Sequence, residues 1–423
     1  MNVTPMPACK PWHEVGPRIH VLAPDTLATL ATFLDGTDEQ LCEPFAAPRI
    51  DTVARLSAAI LRDPTLRHDP ASVAAAYWMR KSSVMRLKER YIARCAAESD
   101  VVRVPAGRVF HVAPSNVDTL FVYSWVLSFL CGNANLIRVS QQQTPIVTSL
   151  LRVFSDIATD DRDLRESNRF VTYEHDAAVT AALSAWCSHR IIWGGDSTVN
   201  SLRPLALSPH ASERLFASKF SYSIVRADRY LGATDSVRTE VAASFFNDLF
   251  WFDQMACSSP QIVFWVGDPQ SSELAQAAFD TNLQAEVRRR SYEPLASNAV
   301  RRLVYAFGLA ADAPVKVHLE HTGFVAVQVE ESASLSKESC GGGLIRHARL
   351  RVLNDIVPFV TEVDQTVTHF GLTADDLTDL ALRIGRRGVD RLVPIGQALA
   401  FDAVWDGHDL IEDLVRKVTV RIS

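Results

Sequence analysis

Phe252-Asp-Gln-Met-Ala-Cys-Ser-Ser-Pro260 is the stretch on which the reading of this chain turns. Upstream, residues 237–252 carry apolar side chains at helical spacing. Downstream, Gln261-Ile-Val-Phe-Trp-Val266 is an apolar run of strand length. Ser258, Ser259 and Pro260 stop any helix between them. Cys257 therefore falls in a helix-to-strand turn, where backbone N–H groups lie close and a thiol can be partly exposed. Both conditions lower a thiol's pKa and favour a nucleophile. Taken alone, the stretch suits a small buried hydrophobe at 257 better than a nucleophile.

Working outward, strands and helices alternate. Val101-Val-Arg-Val104 and Arg108-Val-Phe-His-Val112 read as two strands joined by a turn at Pro105-Ala-Gly107. Ala113-Pro-Ser-Asn116 is a turn before a helix over 117–131, which Gly132 and Asn133 end. Residues 135–139, 169–173 and 189–193 read as strands. Helices open at Thr144-Pro145, at Ala177 and after Gly194-Gly195-Asp196. Beyond the cysteine turn, helices are expected near 272–291 and 297–308. Strands are expected near 315–319, 324–329, 350–353, 365–370 and 417–422. Residues 332–343 read as a glycine-rich loop carrying Cys340, a rival reactive thiol, and residues 389–396 and 405–407 as turns. The first hundred residues are mostly helical. This alternation predicts an α/β fold with a parallel sheet, whose ligands sit at the carboxyl ends of the strands. Asn116, Arg138 with Ser140, and Gly194 to Asp196 fall at such ends. No G-x-G-x-x-G fingerprint is present, and the glycine pair fits a tight turn as readily as a cofactor site.

Composition bounds the rest. The chain has 423 residues, 48% of them hydrophobic, and a formal charge of −6, enough for two or three domains with cores of their own. The Arg288-Arg-Arg290 cluster reads as a solvated helix face, so no nucleic-acid partner is expected. No apolar run reaches the ~18 residues of a membrane span. Seven scattered cysteines without a C-x-x-C argue against disulfides or zinc, and so for a reducing cytoplasm. His318 and His321 beside Glu320 read as a surface pair, so no metal is expected. There is no G-x-S-x-G, Walker or H-E-x-x-H motif.

Several of these pieces resemble one family. Phe252-Asp-Gln254 followed by Cys257 and Ser259-Pro260 looks like the nucleophile motif of the LuxC-type acyl-CoA reductases, a divergent branch of the aldehyde dehydrogenase superfamily. Ile192-Trp-Gly-Gly195, Val389-Asp-Arg391 with Pro394-Ile-Gly396, and Trp405-Asp-Gly407 resemble its other landmarks. The resemblance runs from Val101 to the C-terminus. It implies an aldehyde-dehydrogenase-like α/β fold: a parallel-sheet cofactor domain, an α/β catalytic domain and a small oligomerisation element. The implied division is a helical segment over 1–100, an NADP-binding Rossmann-like domain over 101–230, a catalytic domain over 231–388 and a C-terminal segment over 389–423.

The resemblance also implies roles. Cys257 is the nucleophile and Asn116 the oxyanion-hole amide. Arg138 stands where the superfamily lysine holds the adenosine ribose, with Ser140 beside it. Gly194, Gly195 and Asp196 open the helix facing the cofactor phosphates. Two departures bear on chemistry. Gln141 replaces a ribose-binding glutamate, and a neutral amide admits a 2′-phosphate that Arg138 can pair with, which favours NADPH. Residues 216–221 lack the carboxylate that activates water in hydrolytic members. The expected reaction is therefore NADPH-dependent reduction of an acyl thioester to an aldehyde through a thioacyl-cysteine. The donor is acyl-CoA or an acyl-carrier thioester, and a homo-oligomer working beside an acyl-transferring protein is expected. A CoA-acylating or hydrolytic aldehyde dehydrogenase and an inactive scaffold are the alternatives.

Overall fold

The computed structural model describes residues 12–24, 30–36, 41–114, 117–312, 315–320, 323–329 and 335–421. The chain divides into two compact units, Met1–Ala217 with Phe401–Ser423, and Ser218–Ala400.

The first unit holds β1 (His20–Ala23), β2 (Val101–Pro105), β3 (Arg108–Val112), β4 (Ala134–Arg138), β5 (Asn168–Thr172), β6 (His189–Trp193) and β7 (Ser212–Phe216). Among the described residues its main sheet runs β1-β5-β4-β3-β6-β7, parallel except for β1. Chain order moves outward from β3 to β5, then resumes on the other side of β3 with β6. The reversal lies between β3 and β6, at whose carboxyl ends open α/β sheets bind ligands. Leu136, Ile137, Ile191 and Ile192 are fully buried, as expected of strands covered on both faces.

The helix Leu120–Leu130 is apolar all round, and each of its residues from 121 to 130 is buried. Gly132 ends it at φ +92, where a Cβ would lie 1.9 Å from the Cys42 carbonyl oxygen. The early helix Ala47–Arg62 sends Ile50, Val53, Leu56 and Ile60 into the same core as Trp125, Phe129 and Phe154. Its buried Arg49 forms a two-toothed ion pair with Asp163, both contacts at 2.8 Å, and also donates to the carbonyls of Phe129 and Asn133.

The second unit holds β8 (Phe220–Arg226), β9 (Ile262–Val266), β10 (Val315–Glu320), β11 (Val325–Val329), β12 (Leu344–Leu350), β13 (Asp364–Phe370) and β14 (Arg391–Pro394). Its sheet runs β10-β11-β12-β9-β8-β13-β14 and is parallel except for the β10–β11 hairpin. The helices Asp235–Phe250 and Pro269–Arg289 cover it through Phe245, Leu249 and Phe279, which meet Trp265 of β9. Among the described residues, no helix is long and apolar enough to cross a membrane.

Four expectations about elements need correction. β2 does not pair with β3; after the short hairpin of β15 (Val404–Trp405) and β16 (His408–Asp409) comes β17 (Val415–Thr419), with which β2 pairs antiparallel in a two-stranded ribbon outside the main sheet. The segment expected as a strand over 350–353 is the end of β12 and the start of a 3-10 turn, Leu353–Phe359. Residues 391–394, read as a turn, form the edge strand β14. β1 adds a strand to the supposedly helical first hundred residues.

Candidate active site

The helix Asp235–Phe250 is capped by Thr234, whose hydroxyl accepts from Val237 N, and it delivers the chain to the cysteine turn. Two non-glycine residues then adopt left-handed backbone, Asp253 at φ +49 and Gln254 at φ +60. This conformation costs about 1–2 kcal/mol per residue, and the surroundings hold it in place. Gln254 N donates to Leu249 O at 2.6 Å. The Gln254 side chain is fully buried and donates to the carbonyls of Pro260 and Leu344, both at 2.8 Å. Its Oε1 accepts from Gly343 N at 3.0 Å, and its main-chain oxygen accepts from Gln261 Nε2 at 3.0 Å. Asp253 accepts from the Tyr292 hydroxyl, and its main-chain oxygen accepts from Gly342 N at 2.7 Å.

Within this frame Cys257 is exposed, while Ser258, Ser259 and Pro260 are buried. Ser221, near the start of β8, donates its hydroxyl to the Cys257 carbonyl at 2.7 Å and accepts from Thr366 N at 3.1 Å. Gln365, at the start of β13, donates from Nε2 to the Cys257 sulfur at 3.4 Å. The thiol thus lies at the amino edge of the second sheet, beside the starts of β8, β9 and β13. Among the described cysteines it alone is exposed. Burial raises the thiols of Cys42, Cys131 and Cys340 above the ordinary range and pushes Cys187 up to about 12. Cys340, the rival candidate, is 5% exposed, so the segment that carries it is a packed wall in the described part.

Gly341, Gly342 and Gly343 form that wall with three successive positive φ angles. A Cβ on Gly341 would sit 2.3 Å from Met255 Sδ. These glycines, Ser221 and Gln365 are the site residues that sequence reasoning missed. The run of three glycines was the one available signal, since only such a run follows that backbone freely.

In the first unit, Arg138 closes β4 and is partly buried. Its guanidinium stacks on the Tyr173 ring at 4.6 Å, and Nη2 donates to Tyr173 O at 3.5 Å. Arg138 Nε is buried without an acceptor among the described residues. Ser140 Oγ accepts from Gln142 N at 3.3 Å, and Gln141 is exposed. Gly194 follows β6 and donates to Phe216 O at 3.0 Å. A Cβ on it would meet the Thr198 side chain at 3.0 Å. Gly195 precedes the short helix Asp196–Leu202, whose first residue is exposed. In register, Val112 at the end of β3 lies between Arg138 and Ile192, so these groups share the carboxyl edge at which the strand order reverses. Asn116 lies outside the described residues, as do His321 and the side chain of His318.

Residues 216–221 present no carboxylate, and the nearest in sequence, Glu213 on β7, is engaged. The buried Arg190 donates from Nε to Glu213 Oε1 at 2.6 Å. Among the described residues, no group of three or more His, Cys, Asp or Glu is placed to hold a metal ion.

The profile of the acyl-CoA reductase (LuxC) family matches residues 93–417. The chain belongs to the LuxC family of acyl-CoA reductases. It is similar to the long-chain acyl-protein thioester reductase of Photorhabdus laumondii, 24% identical over 326 residues that make up 76% of this chain and 65% of that protein. The chain thus spans just under two thirds of that LuxC relative's length.

Among solved structures, lactaldehyde dehydrogenase from Escherichia coli superimposes with a TM-score of 0.64 at 13% identity, covering 95% of both chains. A glyceraldehyde-3-phosphate dehydrogenase from Methanocaldococcus jannaschii, complexed with NADP, does so with a TM-score of 0.63 at 11% identity, covering 92% of this chain and 93% of that one. The LuxC chain therefore has the aldehyde dehydrogenase fold.

Proposed function

We propose that this LuxC-family chain reduces an acyl thioester to an aldehyde through a thioacyl intermediate on Cys257. The exposure of Cys257 on a turn held by the hydrogen bonds of Asp253, Gln254 and Ser221 carries the reading. The Cys257 thiolate adds to the thioester carbonyl. The bond to the departing sulfur breaks, and that thiolate takes a proton from solvent. NADPH, when bound, supplies the hydride that reduces the thioacyl carbonyl. The Cys257 N–H and the Asn116 amide are the groups assigned to the resulting oxyanion, and loss of one such donor typically costs ~10²–10³ in rate. Collapse breaks the carbon–sulfur bond, frees the aldehyde and returns the Cys257 thiolate.

Two observations support NADPH. Arg138 keeps a buried Nε–H without an acceptor among the described residues, and Gln141 offers an exposed neutral amide at the same strand end. Both fit a phosphorylated ribose. Gly194, where a Cβ would crowd the Thr198 side chain at 3.0 Å, allows close approach of the backbone. The donor is assigned as acyl-CoA or an acyl group on a carrier protein. The acyl-protein reductase relatives support the second form.

The test is denaturing mass spectrometry after mixing the chain with acyl-CoA and no reductant. A long-lived acyl adduct on the peptide carrying Cys257 is expected. NADPH should discharge it to aldehyde, and free CoA should return acyl-CoA. Absence of the adduct, or its decay to free acid within a few turnovers, overturns the reading.

A further inference from the structure

We propose that Gln365 is a positioning residue that holds the Cys257 sulfur in its thiolate form and fixes its direction. This deepens the reading of Cys257 as the nucleophile and rests on it. Gln365 is fully buried at the start of β13, a strand paired on both sides, by β8 and by β14. Its main-chain oxygen accepts from Asp390 N at 2.8 Å, and the next residue's N–H is held by Ser221 Oγ. The side chain therefore projects from fixed backbone and places Nε2 3.4 Å from the sulfur. Ser221 holds the main-chain oxygen of the same cysteine from the neighbouring strand. Cys257 is thus clamped at two points by two adjacent strands, one on its backbone and one on its reacting atom.

The chemistry follows from the donor type. An amide N–H binds an anionic sulfur more strongly than a neutral one, so the bond favours the thiolate. A primary amide does not ionise in this range, so it neither removes the proton nor returns it. The bond weakens when the sulfur is acylated and strengthens again as the thiohemiacetal collapses. It therefore assists the departure of the cysteine as well as its attack. Three charged pairs or contacts on and beside the turn direct their groups to other partners. Lys337 pairs with Asp364, Lys219 with Asp390 at 3.1 Å, and Asp253 with the Tyr292 hydroxyl. The neutral amide is the donor the geometry puts on the sulfur.

The experiment measures the iodoacetamide alkylation rate of Cys257 against pH, resolved by peptide mass spectrometry, in the full chain and in Gln365→Leu and Gln365→Glu. Removing the donor should raise the alkylation midpoint by about 1 unit in Gln365→Leu. Replacing it with a carboxylate of the same shape should raise it by about 2 units. A midpoint that stays put in folded variants overturns the proposal.

If neither variant folds, the wild-type chain labelled with ¹⁵N-glutamine still decides the matter. Alkylation of Cys257 should shift one buried side-chain amide resonance, and no shift overturns the proposal. Because iodoacetamide needs no acyl thioester, this outcome is separate from failure of the reductase reading.

Discussion

Gln254→Leu tests whether the cysteine turn is held by side-chain hydrogen bonds. Leucine keeps nearly the volume of glutamine, so the effect comes from lost polar partners and not from a cavity. Three bonds disappear: those to the Pro260 and Leu344 carbonyls at 2.8 Å, and that from Gly343 N at 3.0 Å. Each leaves a buried backbone group without its partner, a loss of about 1–3 kcal/mol apiece. Non-additivity brings the expected total towards the lower end, about 3 kcal/mol. The left-handed backbone at 253 and 254 then also loses support. Urea unfolding of the full chain should show a destabilisation of this size, and Cys257 should alkylate at least about 10-fold more slowly as its geometry loosens. A destabilisation below about 1 kcal/mol with an unchanged alkylation rate would refute the view that Gln254 holds this turn.

Other outcomes follow from the same geometry. Cys257→Ala should abolish acyl labelling and aldehyde formation, whereas Cys340→Ala should leave both near wild type; peptide mapping after acyl-CoA treatment distinguishes the two. Gln141→Glu should lower the NADPH-to-NADH ratio of kcat/KM by about 10-fold or more by placing a carboxylate beside the 2′-phosphate, and an unchanged ratio would dismiss that position as a reader of the ribose. Asp248 accepts from Gly396 N and Ala398 N, yet burial pushes it up to about 7. Between about pH 4 and 7 the folded chain therefore keeps a proton that the unfolded chain has released. Stability falls as pH rises through that window, by up to about 1.4 kcal/mol per unit, and Asp248→Asn should flatten the slope in urea titrations at several pH values.

Much of the fold could be read from local signals, and the misses share a cause. The helix Ala177–Trp186 and the strand His189–Trp193 match their expected bounds, because Asp176 caps one and the apolar Ile191-Ile-Trp193 before the Gly194-Gly195 pair marks the other. β12 was hidden because Arg346 and His347 interrupt its apolar pattern. Both are buried and satisfied by distant partners: Arg346 by the carbonyls of Ser336 and Glu338, His347 by Trp265 and Asp280. The β2–β17 pairing joins residues more than 300 positions apart and leaves no local trace. β14 contains Pro394, which reads as a turn but is tolerated on an edge strand. At the candidate site, the proposed nucleophile was legible as a cysteine between a helix and a strand. Ser221 and Gln365 were not, since a hydroxyl and an amide become site residues only when the sheet brings them to that cysteine.

Although the chain is not short of carboxylates, the described ones near the cysteine turn and near residues 216–221 are occupied by other groups. A general base must be able to reach the water, and its lone pairs must not be committed elsewhere. Asp253, on the cysteine turn itself, accepts from Tyr292. Asp390 is paired with Lys219. Asp364 is adjacent to Gln365, and burial raises its pKa above the ordinary carboxylate value. It is also fully enclosed, and its Oδ2 accepts from Lys337 Nζ and from Thr361 N, so it is cut off from bulk water. In the first unit, Arg190 holds Glu213. Each of these carboxylates thus has at least one oxygen engaged, and Asp364, whose Oδ1 keeps no partner among the described residues, is fully buried. The groups on Cys257 itself, the Gln365 amide and the Ser221 hydroxyl, donate to the cysteine and do not take a proton from water. On the proposed reading, a thioacyl group on this sulfur would be better protected from hydrolysis than from a hydride or an incoming thiolate, neither of which needs a base to attack. That asymmetry, built from amides and ion pairs, is what the proposed function requires to separate a thioester reductase from an aldehyde-oxidising enzyme on the same fold.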